Sequence, residues 1–180
     1  MRISAVIVTK GDHDLSRIVD SLPFDDLVIW DNSKRANYMV YGRYLAVAEA
    51  KHEIIYTQDD DCLVPNAKVL IPAYRDGEIL CNVSPEHQHD YRKLPFSLVG
   101  WGALFHRRLL SCFRRYWSRF PDDGLFRREC DRVFTGLNPY RNIWVGREHL
   151  PWAHDSSRMG VQVNHNRDLN EISRRIQCLK

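Results

Sequence analysis

The sequence predicts an α/β protein with a mostly parallel central sheet and helices on both of its faces. Three observations predict it. Short β-branched, apolar runs alternate with stretches of helical spacing, the pattern of strand–helix–strand units. The first three apolar runs each end in a polar, turn-forming cluster. A chain of 180 residues with 44% hydrophobic and 27% charged side chains has the composition of one folded domain, and its apolar runs are too short for a membrane-spanning helix.

The elements follow in order. Residues 2–9, RISAVIVT, form a nearly continuous buried strand closed by Lys10-Gly11-Asp12. Leu15, Ile18, Val19 and Leu22 recur at helical spacing and stop at Pro23. LVIW at 27–30 is a second strand and Asp31-Asn32-Ser33 its exit; Tyr41, Leu45 and Ala48 mark one face of a helix over 38–51. EIIYT at 53–57 is a third strand, leaving into Gln58-Asp59-Asp60-Asp61, and 66–74 is helical after Pro65. EILCNV at 78–83 is a fourth strand. Beyond it the spacing predicts a strand over 98–105, helices over 107–117 and 124–137, strands and loops over 138–166, and a last helix over 168–179 with Asp168 and Glu171 as a capping box. No repeat or linker divides the chain.

The five cysteines are odd in number, widely spaced and without a CxxC pair, which argues against a disulfide framework or a structural zinc site and for reduced, mostly buried thiols. The opening apolar run is about six residues and passes into charge without a small-residue cleavage site, so the expected location is a cytoplasm, the host's if the protein is viral. The net charge of +3 is small, but residues 91–121 contain no Asp or Glu and carry Arg92, Lys93, Arg107, Arg108, Arg114, Arg115 and Arg119.

In open α/β sheets ligands bind beyond the carboxyl ends of the strands, so the three polar exits define the expected site. Asp59-Asp60-Asp61 is the most informative of them. Adjacent carboxylates repel unless a cation neutralises them. In extended chain, residues i and i+2 point the same way, which turns Asp59 and Asp61 toward one centre, and two hard oxygen donors suit Mg²⁺ or Mn²⁺. The plain alternative is a solvated acidic loop.

IIYTQDDDCLVP resembles the DxD segment of nucleotide-sugar-dependent glycosyltransferases of the GT-A fold. GALFHRRLLSCF resembles the acceptor-side strand and helix of exostosin-like transferases, and RECDRVFTGL the acidic helix start that follows in exostosin-like and family 2 enzymes. The resemblance covers residues 3–137. It implies a GT-A (Rossmann-like) three-layer sandwich, with 1–83 as the nucleotide-sugar-binding half and 84–180 as the acceptor-binding half with a C-terminal lid. It implies a metal-dependent transfer, with Mn²⁺ or Mg²⁺, of a sugar from a nucleotide diphosphate sugar, most often a UDP-sugar, to an acceptor hydroxyl. It places Thr9 and Lys10 near base and ribose, Asp31 and Ser33 of WDNS at the base, and Arg43 of YGRYLAVAEA at the diphosphate. Asp59 falls on ribose and metal, Asp61 on the metal directly, and Trp101 and Gly102 on the sugar pocket. Asp131 is the acidic position that serves as base in an inverting reaction, with Glu129 as runner-up; in a retaining reaction the same position stabilises the sugar. His154, also a metal candidate, and Arg158 belong to the segment that closes over the diphosphate.

Several of these residues have an ordinary alternative. On the residues alone, Asp131 pairs with Arg127, Arg128 or Arg132, Asp122 and Asp123 cap the helix at 124, and Trp101 is a core side chain. Arginines interleaved with Trp101, Phe105, Phe113, Tyr116 and Trp117 over 92–119 raise the expectation of a nucleic-acid acceptor, such as a hydroxylated base in viral DNA; the competing expectation is core aromatics beneath a solvated arginine face. A sugar nucleotidyltransferase needs a glycine-rich phosphate loop, and TKGDHD has one glycine. A non-catalytic nucleic-acid-binding module has no use for carboxylates at a strand exit.

Overall fold

A computed structural model describes residues 1–91, 95–152 and 165–180. Its centre is a six-stranded sheet in the order β2-β1-β3-β6-β5-β7. The strands are β1 (Ile3–Thr9), β2 (Asp26–Asp31), β3 (Ile54–Gln58), β5 (Ile79–Asn82), β6 (Ala103–His106) and β7 (Tyr140–Ile143). A two-stranded ribbon joins β4 (Cys62–Leu63) to β8 (Glu148–His149). β1 is parallel to both β2 and β3, and β5 is parallel to β7.

One strand runs against the rest. β6 is antiparallel to β3 on one side and to β5 on the other, so the fourth predicted strand does not lie directly beside the third. The sheet is therefore mostly parallel, as the alternation predicts, with a reversed strand at its middle. The reversal matters for the site: the loop entering β6 reaches the same edge as the carboxyl ends of β1, β2 and β3.

Alternation along the strands gives the sheet two buried faces. Val6, Ile55, Ile79, Cys81, Ala103 and Phe105 point into the larger core, with Tyr44 of α2 (Gly42–Ala46), Phe113 and Tyr116 of α5 (Cys112–Trp117), Phe126, Val133 and Phe134 of α6 (Gly124–Leu137), and Ile172 and Ile176 of α7 (His165–Gln177). Ile3, Ala5, Tyr56, Leu80 and Leu104 face the other way, onto Leu70 of α3 (Leu70–Ala73), and Ile7 meets Ile18 of α1 (Ser16–Ser21). Each fully buried aliphatic side chain of this kind contributes about 1.5–3 kcal/mol.

Local differences from the sequence reading have local causes. The helix expected over 38–51 is a chain of short pieces, 3₁₀ turns at Met39–Tyr41 and Val47–Glu49 around a five-residue α-helix, with Met39 at a left-handed φ of 54°. Gly42 opens α2 because a Cβ there would lie 2.4 Å from Cδ1 of Trp30. Residues Pro85–Tyr91 form a helix, α4, that the spacing does not announce. α7 begins at His165, so Asp168 and Glu171 sit inside it and bind Arg128, and Arg174 with Arg175, instead of forming a capping box. Asp123 does cap α6, accepting from the Phe126 amide at 2.7 Å, whereas Asp122 pairs with Arg127. Cys62, Cys81, Cys112 and Cys130 are buried and Cys178 is exposed, all as free thiols. No helix among the described residues is long and apolar enough to cross a membrane.

Asp26 ties the amino end of the sheet together. Its carboxylate accepts the Lys51 amide at 2.9 Å and pairs with the Lys51 ammonium at 3.2 Å. Burial pushes this carboxyl up, but hydrogen bonds from Ser4 and Lys51 and the Lys51 charge outweigh it and hold it at about 2. A depressed folded-state pKa gives stability that is present above the unfolded value and lost as the pH falls through the folded one. Asp26→Asn should therefore lower stability to urea by about 1–3 kcal/mol at pH 7. That gap to the wild type should close as the pH falls from about 4 toward 2; a gap that stays constant over this range would refute the assignment.

Candidate active site

The carboxyl edge of the sheet gathers much of what the sequence singles out. Thr9 and Asp31 are direct neighbours in the β1–β2 register, and the Asn32 amide donates to the Thr9 carbonyl at 2.9 Å. Thr9 is buried, its hydroxyl accepting from the Gly11 amide at 3.0 Å, while Lys10 is exposed. Asp31 accepts from the Ser33 hydroxyl at 2.6 Å and the Ser33 amide at 2.8 Å, and pairs with Lys34 at 3.0 Å. The Ser33 hydroxyl first, then Lys34 and the Ser33 amide, lower its carboxyl to about 2. It is thus an anion over the whole physiological range.

One strand further in, Arg43 joins two distant carboxylates. Its side chain is only 2% exposed, and its Nη2 is hydrogen-bonded to Oδ1 of Asp59 just past β3. Its Nη1 lies 3.6 Å from Oδ2 of Asp131 on α6. Among the described residues Nε and Nη1 have no hydrogen-bond partner. Burial pulls the guanidinium pKa down, but the Asp131 and Asp59 charges more than reverse this and hold it above the ordinary arginine range. Arg43 therefore faces the carboxylates from beneath and is not offered to solvent, where the family resemblance had set it against a diphosphate.

Asp131 keeps 19% of its side chain exposed, and its Oδ1 accepts from the Tyr44 hydroxyl at 2.7 Å. Burial raises its pKa; Arg43 lowers it, Asp59 raises it and the Tyr44 bond lowers it, leaving it above the usual carboxylate range. The arginines of its own helix are engaged elsewhere: Arg127 with Asp122, Arg128 with Asp168 and Arg132 with Glu129. Glu129 is not brought to the site. It is two residues away, about 200° around the helix, and buried against Arg132.

Asp59 is 37% exposed and is held through its backbone, its amide donating to the Gly100 carbonyl at 2.7 Å. A Cβ on Gly100 would stand 1.9 Å from Asp59 Oδ2, so a side chain there would push this carboxylate out of its place. The Cys62 thiol reaches the same carbonyl at 3.6 Å, and burial, with the Asp59 and Asp61 charges, pushes its pKa up, which keeps it protonated. The Asp61 carbonyl accepts the Leu150 amide at 2.9 Å and the Asp60 carbonyl accepts Trp152 Nε1 at 3.0 Å, which sews 150–152 onto the acidic segment. Gly102 is buried where β6 begins, its carbonyl accepting the Asn82 amide. Trp101 is half-buried, with the His87 ring edge-on to it.

Arg147, like Tyr44, belongs to this site without being singled out by the sequence. Its guanidinium carbon sits 3.4 Å from the Trp101 ring centroid, and the Asp61 and Asp59 charges act on it. Nothing in the local sequence marks it; its place beside the acidic loop comes from the β4–β8 pairing. His154 and Arg158 lie outside the described residues. Among those described, no three His, Cys, Asp or Glu side chains gather to hold a metal ion. Most arginines of the basic stretch stay on the surface: Arg108, Arg114, Arg115 and Arg119 are exposed, Arg108 pairing with Asp76 and Arg115 and Arg119 reaching the Leu179 and Cys178 carbonyls, while the half-buried Arg107 binds the Val47 and Ala50 carbonyls. Arg92 and Lys93 lie outside the described residues. Phe105, Phe113 and Tyr116 are core side chains, and Trp117 is 38% exposed.

No protein-family model matches the chain, and no curated protein matches it.

Removing the Arg43 charge leaves two carboxylates facing each other without a counter-ion. Arg43→Met should cost about 3–5 kcal/mol in chemical denaturation at pH 7. Asp131→Asn in the same background should recover part of it. The Asp131 pKa, already raised, climbs further without Arg43, so the deficit should shrink as the pH falls through it; a deficit indifferent to both changes would break the linkage between these groups.

Proposed function

We propose that the protein is a metal-dependent glycosyltransferase that moves a sugar from a nucleotide diphosphate sugar to an acceptor hydroxyl, on a GT-A-type fold. The observation that carries this reading is the bridge from Asp59 through Arg43 to Asp131, which draws the acidic strand exit and the acidic helix, 72 residues apart in sequence, into one partly open site. Asp31, beside Thr9 on the neighbouring strands, gives a hydrogen-bonding anion at the position the reading assigns to the nucleoside.

Carboxylate oxygens are the hard donors that a divalent cation such as Mg²⁺ or Mn²⁺ takes. On this reading Asp59 and Asp61 supply carboxylate oxygens, and an ion such as Mg²⁺ completes its shell with water and phosphate. Asp61 is assigned as the direct ligand, since Asp59 gives Oδ1 to Arg43. When bound, the cation supplies Lewis-acid stabilisation of the charge that builds on the departing diphosphate.

Asp131 is the proton acceptor for the attacking hydroxyl in an inverting reaction, or the stabiliser of the sugar cation in a retaining one. Its raised pKa brings it nearer to neutrality than an exposed aspartate, which favours proton transfer at working pH. Arg43 and Tyr44 fix its orientation. For a nucleic-acid acceptor, Arg107 and Arg108 are paired with Glu53 and Asp76, whereas Arg114, Arg115 and Arg119 keep their charges on the exposed face.

Screening nucleotide sugars for hydrolysis and transfer with Mn²⁺ or Mg²⁺ tests the reading. Asp61→Ala should lower turnover by at least about 10²-fold while the circular dichroism spectrum is unchanged. Full turnover by that variant in excess chelator would defeat the metal-dependent mechanism.

A further inference from the structure

We propose that Arg147, mounted on the face of Trp101, is the anion-binding residue of the site and takes phosphate oxygens of the donor's diphosphate; the proposal rests on the donor reading above. Its placement is built by three independent ties. Asn82 accepts from the Val145 amide at 2.9 Å and donates to the Gly146 carbonyl at 3.0 Å, which fixes the chain on one side of Arg147. On the other side β8 pairs with β4, His149 opposite Cys62 and Glu148 opposite Leu63, which carries the segment along the acidic loop. Trp101 holds the guanidinium from below, and its own carbonyl accepts from the same Asn82 side chain at 2.7 Å.

The electrostatics call for an anion. Arg147 is half-buried, and among the described residues it forms no ion pair within bonding distance. Its Nη2 bonds Nε2 of His149; arginine only donates, so that nitrogen accepts and brings no charge of its own. Burial lowers its pKa, and the Cys62, Asp61 and Asp59 groups only partly restore it. A guanidinium taken out of water without a bonded carboxylate is costly, and stacking on an indole keeps its donors in one plane for a forked contact to phosphate. Arg43, by contrast, is enclosed by the two carboxylates it holds. Trp101 therefore carries the arginine on the face that the sequence reading had kept for a sugar.

Calorimetric titration of the full chain in Mg²⁺ buffer with UDP, ADP, GDP and inorganic pyrophosphate tests this. Arg147→Gln should weaken pyrophosphate and the bound nucleotide by about tenfold or more, with Arg147→Lys intermediate because it keeps the charge and loses the fork. Trp101→Leu should weaken the same probes. Wild-type affinity retained in Arg147→Gln would overturn the inference and leave the donor reading standing, whereas a wild-type protein that binds none of the probes would overturn both. Should the glutamine variant fail to fold, Arg147→Lys decides: affinity equal to wild type refutes the stacked fork.

Discussion

The arrangement of the site depends on one buried guanidinium. Arg43 stands between Asp59, on the loop leaving β3, and Asp131, on α6, and each element is held partly by the charge of the other two. Burying such a group is expensive, and the attraction between the charges repays it only when geometry and hydrogen bonding are good. Here the return is positional more than energetic. A carboxylate from the first residue past a strand and one from a distant helix are set together around one cation, with Tyr44 aligning the second.

That arrangement explains why the neighbouring backbone is so constrained. Trp30 and Gly42 must touch for α2 to start where it does, and the start of α2 places Arg43 beneath the sheet edge. Gly100 must lack a side chain for Asp59 to lie against it. The same loop then continues into Trp101, which holds Arg147. Positive and negative groups thus alternate across the site, with Asp59 against Gly100, Asp131 bonded to the Tyr44 hydroxyl and Arg147 stacked on Trp101.

Much of the sheet was legible in the sequence because β-branched runs such as ISAVIVT can bury both faces only inside a sheet, and because polar exits mark strand ends. The acidic exit after β3 and the Asp123 cap were legible for the same local reason. What the sequence hid is non-local. The direction of β6 is set by its partners Tyr56 and Leu80 across the sheet, which no periodicity within ALFH reveals. The partner of Asp131 looked like one of the arginines of its own helix, Arg127, Arg128 or Arg132, and it is Arg43, 88 residues earlier. Arg147 went unread because its importance comes from the β4–β8 ribbon, a pairing of two residues on each side that leaves no pattern.

The reversed strand at the middle of the sheet also bears on how the chain matures. β1, β2 and β3 can pair as soon as they are made, but β5 finds no place beside them until residues 103–106 have emerged to separate it from β3. Until then β3 presents a bare row of amides and carbonyls, the kind of edge that invites pairing with another chain. In the finished sheet β6 is the strand that covers this flank and joins the β1–β2–β3 half to β5 and β7.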